Sequence, residues 1–517
     1  MCNIDSVKSL AEYAALKYKD KPFCRYYVED ELQEKSFREF YENALAVSRY
    51  ISSVAREGIH IAFIGKTGYE YIACLTGMIF SANVVVPFAP DIKVKEAVQL
   101  FDDADIEMLF CEDDFIKKAE GIKSQYPGLK EIVSLGNLKW FGEVFEKYNS
   151  ESRYASIPER VINPDNAALI VYTSGTTGER KGVMLSNRNM AANTCYNEYS
   201  MEDDDVSFSV LPMHHVFCYC CDVLKTLYDG GTLCLNGEMY NLYKNFLRFE
   251  PTIMRIVPSL CKSILTRIKI TERKNPGLSP REAAELVVGR NFRRMIAGSA
   301  FLSGMLINEF EKYGITARQG YGMSECSPRI TTSDFSENNK YSNGKVLSVN
   351  EVRTQDGEIQ VKGPSVMLGY YKKPKETADA FTEDGYLRTG DLGYLEDGHI
   401  YLIGRKKNLI ILSNGENVSP EEIENLFADI SEIKEIVVYG EKDKIVAEVY
   451  PDEDYCDGMS VGEIETRIKD IVDNINIQSA ETRQIAKVKF RSTPFKRTSS
   501  GKIKRTEFYF TKDGSDD

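Results

Sequence analysis

Positive charge is in deficit in this chain: 65 lysines and arginines stand against 78 aspartates and glutamates, a net charge of −13. A surface of that sign gives no bulk electrostatic support for binding nucleic acid, although a small basic pocket for phosphates stays compatible with it. The 12 cysteines form no evenly spaced framework, and two of them, Cys220 and Cys221, are neighbours. Met-Cys-Asn-Ile-Asp-Ser-Val-Lys at the start lacks the apolar run of a signal peptide. Reduced thiols and a cytoplasmic location are the expectation. Internal repeats and low-complexity blocks are also lacking. So is a clean membrane span. Tyr71 to Ala89 carries no charge, but Gly77, Ser81, Asn83 and Pro87 interrupt it, and a span needs about 20 apolar residues. Its second half, Val84-Val85-Val86-Pro87, reads as a short buried strand ending at a proline, so the stretch is expected to be a buried helix followed by a parallel strand, with no transmembrane anchor.

At 517 residues the chain exceeds one compact core, and a hydrophobic fraction of 43% can fill two or more domains. Helical patterns alternate with short apolar runs over the first ~400 residues, as in α/β structure with parallel strands. Phe37, Phe40, Ala44, Val47 and Ile51 share helical spacing behind Ser36, a candidate N-cap. Strand-like runs occur at Ile59 to Ile64, Ala168 to Tyr172, Val206 to Leu211 and Ile253 to Val257. After about Val352, alternating runs joined by Gly363-Pro364, Asp384-Gly385 and Asp397-Gly398 predict antiparallel strands and a small barrel-like region. Beyond Arg405 the pattern becomes a small α+β unit, with a helix from about Pro420 to Phe427 capped by Ser419 and strands near Ile436 to Tyr439 and Ile445 to Val449. The predicted domains are 1–405 and 406–517.

The richest run is Tyr172-Thr173-Ser174-Gly175-Thr176-Thr177-Gly178-Glu179-Arg180-Lys181-Gly182. It leaves an apolar strand and gathers glycines and hydroxyls around one lysine. Glycines let backbone amides approach an anion, hydroxyls donate hydrogen bonds and the lysine adds charge, which is the chemistry of holding a polyphosphate. The spacing is not that of a Walker A loop, and the same composition also describes a plain surface turn. Further runs follow in order: Ala297-Gly298-Ser299-Ala300, Gln319-Gly320-Tyr321-Gly322-Met323-Ser324-Glu325, Thr389-Gly390-Asp391, Gly404-Arg405-Lys406-Lys407-Asn408, Ser413-Asn414-Gly415, and Ser499-Ser500-Gly501-Lys502. Taken singly, each has a bland reading: small residues at a helix contact, a solvated loop acid, a common turn, a lysine in a basic stretch.

Together these motifs resemble those of the adenylate-forming enzymes, the superfamily of acyl-CoA synthetases, adenylation domains and firefly luciferase. The likeness runs from Tyr172 to Lys502 and is closest in appearance to bacterial fatty-acid–CoA ligases. Arg180 replaces the family's usual proline and Ser324 its threonine. The resemblance implies a large N-terminal domain followed by a small mobile one, with ATP, Mg²⁺ and coenzyme A as cosubstrates. Nucleotide contacts then fall on Thr173, Ser174, Gly175, Thr176, Thr177, Gly178, Lys181, Gly298, Ser299, Ala300, Gln319, Gly320, Tyr321, Gly322, Met323, Ser324, Asp391, Arg405 and Lys502. Within that set Tyr321 stacks on adenine, Asp391 binds the ribose hydroxyls and Glu325 helps hold Mg²⁺. Lys502, Thr173 and Glu325 are the implied catalytic residues, Lys407 the hinge and Gly415 the thiol-tunnel glycine. His215, Gly298 and Gly320 border the acyl pocket.

Leu211-Pro212-Met213-His214-His215-Val216-Phe217-Cys218-Tyr219-Cys220-Cys221 invites a zinc reading. It supplies too few ligands for a closed site, and in a helix Cys220 leaves the face shared by Cys218 and Cys221. A pocket wall is expected instead. Amino-acid-activating relatives carry an aspartate in this stretch, whereas here the nearest acid is Asp222. The resemblance therefore implies a fatty or aromatic acid, passed to CoA or to a separate carrier protein. A dead relative serving as a nucleotide-binding module is the contrasting class; retention of Lys181, Glu325, Asp391, Arg405 and Lys502 argues against it.

Overall fold

A computed structural model describes residues 4–136, 139–149, 157, 159–173, 180–196, 201–202, 204–335, 339–452, 456, 458–497, 503–505 and 508. Two seven-stranded, mostly parallel sheets form the bulk of the chain. The first runs, in spatial order, Thr316–Gln319, Arg294–Ala297, Ile253–Ile256, Val206–Ser209, Thr232–Leu235, Pro22–Val28 and Glu31–Ser36, and only its last pair is antiparallel. The second runs Gly369–Tyr370, Lys181–Ser186, Ala167–Thr173, Val84–Phe88, His60–Ile64, Ile106–Cys111 and Glu131–Ser134.

The uncharged stretch behaves as its interruptions predict. It forms the helix Tyr69–Phe80 and then the strand Val84–Phe88, which pairs in parallel with His60–Ile64 and is buried along its whole length. Among the described residues no helix is long and apolar enough to cross a membrane. Gly77 lets this helix press onto its neighbour, since a Cβ there would lie 2.5 Å from the Ala44 carbonyl oxygen. That neighbour, Phe37–Val54, starts at Ser36, whose hydroxyl accepts from Glu39 N while the Glu39 carboxylate answers Ser36 N. Both helices lie between the two sheets in one continuous apolar core. Separate cores cover the outer faces, one beneath the first sheet and one beneath the second.

A six-stranded antiparallel sheet follows, ordered Thr331–Thr332, Lys345–Val346, His399–Arg405, Leu387–Glu396, Glu358–Lys362 and Glu351–Gln355. From Ile410 onward the chain builds its own core around Ile433–Glu441, Lys444–Pro451 and Lys487–Phe490, with the helix Val461–Gln478 packed on them. The short helix Pro420–Asn425 is capped by Ser419. In this arrangement the last unit touches the main body through Lys262 Nζ, which donates to the Ala428 carbonyl at 2.6 Å, and through Ser303 Oγ, which donates to Asp429. Gly404 permits the junction, because the Ser419 hydroxyl occupies the place where a Cβ would stand. Ser419 Oγ then donates to the Ile403 carbonyl at 3.0 Å.

Candidate active site

The site gathers where parallel strands end, the usual position for ligands of open α/β sheets. Thr173 and Lys181 face each other in register at the mouth of the hairpin Ala167–Thr173/Lys181–Ser186. The loop between them, with Ser174, Gly175, Thr176, Thr177 and Gly178, lies outside the described residues, as does Lys502. Arg180, at the position where the motif's proline was expected, forms an ion pair with Glu96.

Lys181 Nζ sits 4.8 Å from the centroid of the Tyr370 ring, and the Tyr370 hydroxyl donates to Glu325 Oε1 at 3.0 Å. Tyr370 arrives on the short strand Gly369–Tyr370, which zips onto Lys181–Ser186. Nothing in the local sequence marks it: a lone tyrosine in a loop carries no motif. Glu325 is buried, and burial pushes its carboxyl up, while Tyr370, Arg405 and Lys181 act to keep it ionised. A buried carboxylate facing a lysine and a phenol has oxygen free for a hard cation that also bridges phosphates.

Asp391 is the second focus. The Thr389 hydroxyl donates to the Ile359 carbonyl at 2.7 Å and accepts Asp391 N at 3.1 Å. Gly390 takes the left-handed backbone (φ 70°) that the turn needs. Thus Thr-Gly-Asp is a local device that aims one carboxylate inward. The Tyr321 hydroxyl donates to Asp391 Oδ2 at 2.7 Å and Arg405 Nε meets Oδ1 at 2.6 Å. Burial, then Asp391, keeps the Tyr321 phenol protonated.

The loop that carries Tyr321 is held from three sides. Thr331 Oγ1 accepts Tyr321 N at 2.8 Å. Asn193 Nδ2 donates to the carbonyls of Cys326 and Arg329 at 3.0 and 2.8 Å. Gly322 crosses the returning chain so closely that a Cβ would stand 2.0 Å from the Pro328 carbonyl oxygen. Met323 and Ser324 are half-buried on the same turn. The Gln319 side chain braces the neighbouring loop: its Oε1 accepts Leu302 N and its Nε2 donates to the Ala300 carbonyl, both at 3.1 Å.

Gly298 and Gly320 end adjacent parallel strands, and Ser299 and Ala300 are exposed beside them. The Phe217 ring lies against Gly298, 3.3 Å from where a Cβ would be. His215 is the N-cap of the helical segment that begins at Val216, and the His214 and His215 rings are 4.3 Å apart. Burial lowers both imidazoles, His214 to about 3, so both are neutral near pH 7. The segment then passes through a π-helical stretch, Tyr219–Leu224, and Cys218, Cys220 and Cys221 are all buried. Every residue from Tyr219 to Leu227 is buried, so the three cysteines are enclosed on whichever side of the helix they lie. No group of three His, Cys, Asp or Glu residues among those described is placed to hold a metal.

Lys407 lies just past Arg405, and desolvation followed by the Arg405 charge lowers its ammonium to about 8, with Asp391 and Glu421 opposing. Gly415 is exposed in the left-handed region (φ 83°) at the tip of the hairpin Ile410–Ile411/Asn417–Val418.

With this geometry in hand, the chain matches the AMP-binding enzyme family over residues 11–371 and the AMP-binding enzyme C-terminal domain over 407–511. The chain belongs to the AMP-binding enzyme family. Its relatives include the peroxisomal long chain acyl-CoA synthetase 6 of Arabidopsis thaliana, 28% identical over 423 residues, which make up 70% of this chain but only 60% of the plant protein. A 2-succinylbenzoate–CoA ligase of Bacillus cereus is 29% identical over 432 residues, 80% of this chain and 82% of that ligase. In fold, the chain is similar to ATP-bound MatB from Rhodopseudomonas palustris, with a TM-score of 0.80, 22% identity and coverage of 98% and 99%. It is likewise similar to the o-succinylbenzoate CoA synthetase of Bacillus subtilis, with a TM-score of 0.76, 23% identity and 98% coverage of each chain. In this AMP-binding fold the two parallel sheets, the antiparallel sheet and the smaller C-terminal unit take the expected places.

Proposed function

We propose that this family member is an ATP-dependent carboxylate ligase that forms an acyl-adenylate and pyrophosphate, then transfers the acyl group to coenzyme A. The observation that carries the reading is the convergence of two carboxylates, Asp391 on the antiparallel sheet and Glu325 in the loop after Thr316–Gln319, with Lys181, Tyr321 and Arg405. That set has one acceptor pair suited to a vicinal diol and one buried acid beside a cation, as a magnesium nucleotide requires.

In the first step a carboxylate oxygen of the acid bonds to the α-phosphorus, and the bond from that phosphorus to the departing pyrophosphate breaks. No base is needed, because the acid is already ionised near pH 7. Catalysis is then alignment and charge stabilisation. Asp391 accepts the ribose hydroxyls once Tyr321 and Arg405 release it. Lys181 and the loop from Thr173 hold phosphate oxygens, and Lys502 places a point charge on the α-phosphate. Glu325 would hold magnesium, which would supply neutralisation of the phosphate charge. The acid enters between Gly298, Gly320 and His215. Residues 406–517 swing about Lys407 to bring Gly415 to the cleft for the thiol step.

The named relatives support the ligase class and divide over the acid, between long-chain acyl groups and 2-succinylbenzoate. The test is a carboxylic-acid panel with ATP, Mg²⁺ and hydroxylamine, repeated for the best acid with CoA and with a holo carrier protein. Acid-dependent pyrophosphate release and an acyl-CoA product are expected. No release with any acid sinks the reading, and thioester on the carrier alone replaces CoA as acceptor.

A further inference from the structure

The helix Val94–Asp103 lies on the outer face of the second sheet and buries Ala97, Leu100 and Phe101 in the core there. Phe101 packs on Phe88 with ring centroids 5.1 Å apart, and Phe88 stacks on Tyr172 at 6.1 Å. The end of the helix is tied down too: Ala104 N donates to the Leu100 carbonyl at 2.9 Å, and His60 Nδ1 donates to the Ala104 carbonyl. A helix seated in this way is a rigid part, because close-packed cores resist small shifts.

Three carboxylates of this helix and of the turn after it share one destination, the flanks of the candidate phosphate site. Glu96 forms its ion pair with Arg180, the residue before Lys181. Asp103 Oδ2 accepts the hydroxyl of Tyr172, the residue before Thr173. Asp105 Oδ2 accepts the Tyr371 hydroxyl and Oδ1 the Lys372 ammonium, both at 2.7 Å. Tyr371 follows Tyr370, which meets Lys181 and Glu325, and Tyr371 N donates to the Gly182 carbonyl at 2.8 Å.

The hairpin register alone sets Thr173 opposite Lys181. It does not fix where the mouth of the hairpin points, since a pair of strands twists as a unit toward its end. Contacts from outside, one on each strand, do fix it. An ion pair as exposed as Glu96–Arg180 adds little to folding, so its use is geometric. A loop whose two ends are already held has less freedom to lose when it closes on a ligand. Arg180 in place of the motif's proline fits this arrangement: a proline stiffens the chain through its ring, whereas here Glu96 ties the same point from outside.

We propose that the helix Val94–Asp103 is a brace for the phosphate-binding hairpin, and that Glu96, Asp103 and Asp105 are positioning residues for ATP, acting through Arg180, Tyr172 and Tyr371. The inference rests on the ligase reading above for what the loop binds, a polyphosphate, and deepens it. None of the three acids touches the nucleotide. As anions they would repel its phosphates, and this gives the brace a test by sign.

The experiment measures binding of ATP and of AMP, each with magnesium, by isothermal titration calorimetry. Removing an acid near a polyphosphate tightens binding if charge alone acts. The brace requires the opposite: Glu96→Ala and Asp103→Ala should each weaken ATP by about 3- to 10-fold and leave AMP, which lacks the outer phosphates, within about twofold of wild type. Asp103→Asn keeps an acceptor for the Tyr172 hydroxyl and should bind ATP as the wild type does. Tyr172→Phe removes only that hydroxyl; it should match Asp103→Ala, add nothing to it in the double variant, and carry the test if the alanine variant does not fold. ATP affinity that is unchanged or raised in Glu96→Ala and Asp103→Ala overturns the brace and leaves the ligase reading standing. So does an equal loss of ATP and AMP. ATP binding that weakens as described, in a protein that releases no pyrophosphate with any acid, upholds the brace and sinks the ligase reading. A wild-type protein that binds no ATP overturns both.

Discussion

The Tyr321 hydroxyl donates to Asp391 Oδ2 at 2.7 Å, so the loop after the first parallel sheet is bonded directly to the antiparallel sheet. Arg405 closes the other carboxylate oxygen. Nucleotide binding on this account exchanges the Tyr321 bond for ribose hydroxyls. Asp391→Ala is expected to raise KM for ATP by about 10- to 100-fold, the worth of charge-assisted hydrogen bonds. Tyr321→Phe keeps the ring and should change KM by about threefold or less. Steady-state kinetics at saturating acid checks both, and equal losses for the two variants would contradict the exchange.

Glu325 and Tyr370 form a coupled pair. Glu325→Gln should shift the magnesium concentration for half-maximal activity upward by about tenfold or more, since a neutral amide is a poor ligand for a hard cation. Tyr370→Phe frees Glu325 of one hydrogen bond and should move the same midpoint by about threefold or less. A magnesium titration of pyrophosphate release reads both. An unchanged midpoint in Glu325→Gln removes that residue from the metal.

The backbone at Lys407 is the proposed pivot between the two half-reactions, acyl-adenylate formation and thioester formation. Lys407→Pro fixes φ there and removes an N–H. Acyl-adenylate formation should stay within about threefold of wild type while thioester formation falls by about 100-fold or more, as for a blocked conformational step. Separate assays of the half-reactions measure this. Parallel loss of both would place the pivot elsewhere.

Acid should destabilise the protein through His214. Its folded-state pKa, depressed to about 3 by burial, lies below the unfolded value, so its stabilising contribution is present above about pH 6.5 and lost as pH falls toward 3. At 1.36 kcal/mol per unit, about 2 kcal/mol disappears between pH 6.5 and 5. His214→Gln should flatten the fall in thermal midpoint over that window. A variant curve parallel to wild type would mean that His214 is solvated enough to charge in the folded state.

Much of this was legible wherever the deciding partners lie close in sequence. Ser36 with Glu39, Val84 to Pro87, and Thr389-Gly390-Asp391 each carry their own local chemistry. Tyr370 was silent because its partners, Lys181 and Glu325, come from other strands. The bracing bonds of Gln319 were silent too, because Ala300 and Leu302 come from a different loop. The π turn at Tyr219–Leu224 carries no local mark in the sequence. The contacts of Asp222 were hidden most deeply, because Ser209 and Arg255 reach it from strands whose order no local pattern reveals.

The central claim is adenylation of a carboxylic acid with Lys502 carrying charge to the α-phosphate. Exchange of labelled pyrophosphate into ATP, in the absence of any thiol, isolates that step. The account predicts exchange that depends on added acid and magnesium and that falls by about 100-fold or more in Lys502→Ala. Exchange that is absent with every acid, or unchanged in Lys502→Ala, would contradict it.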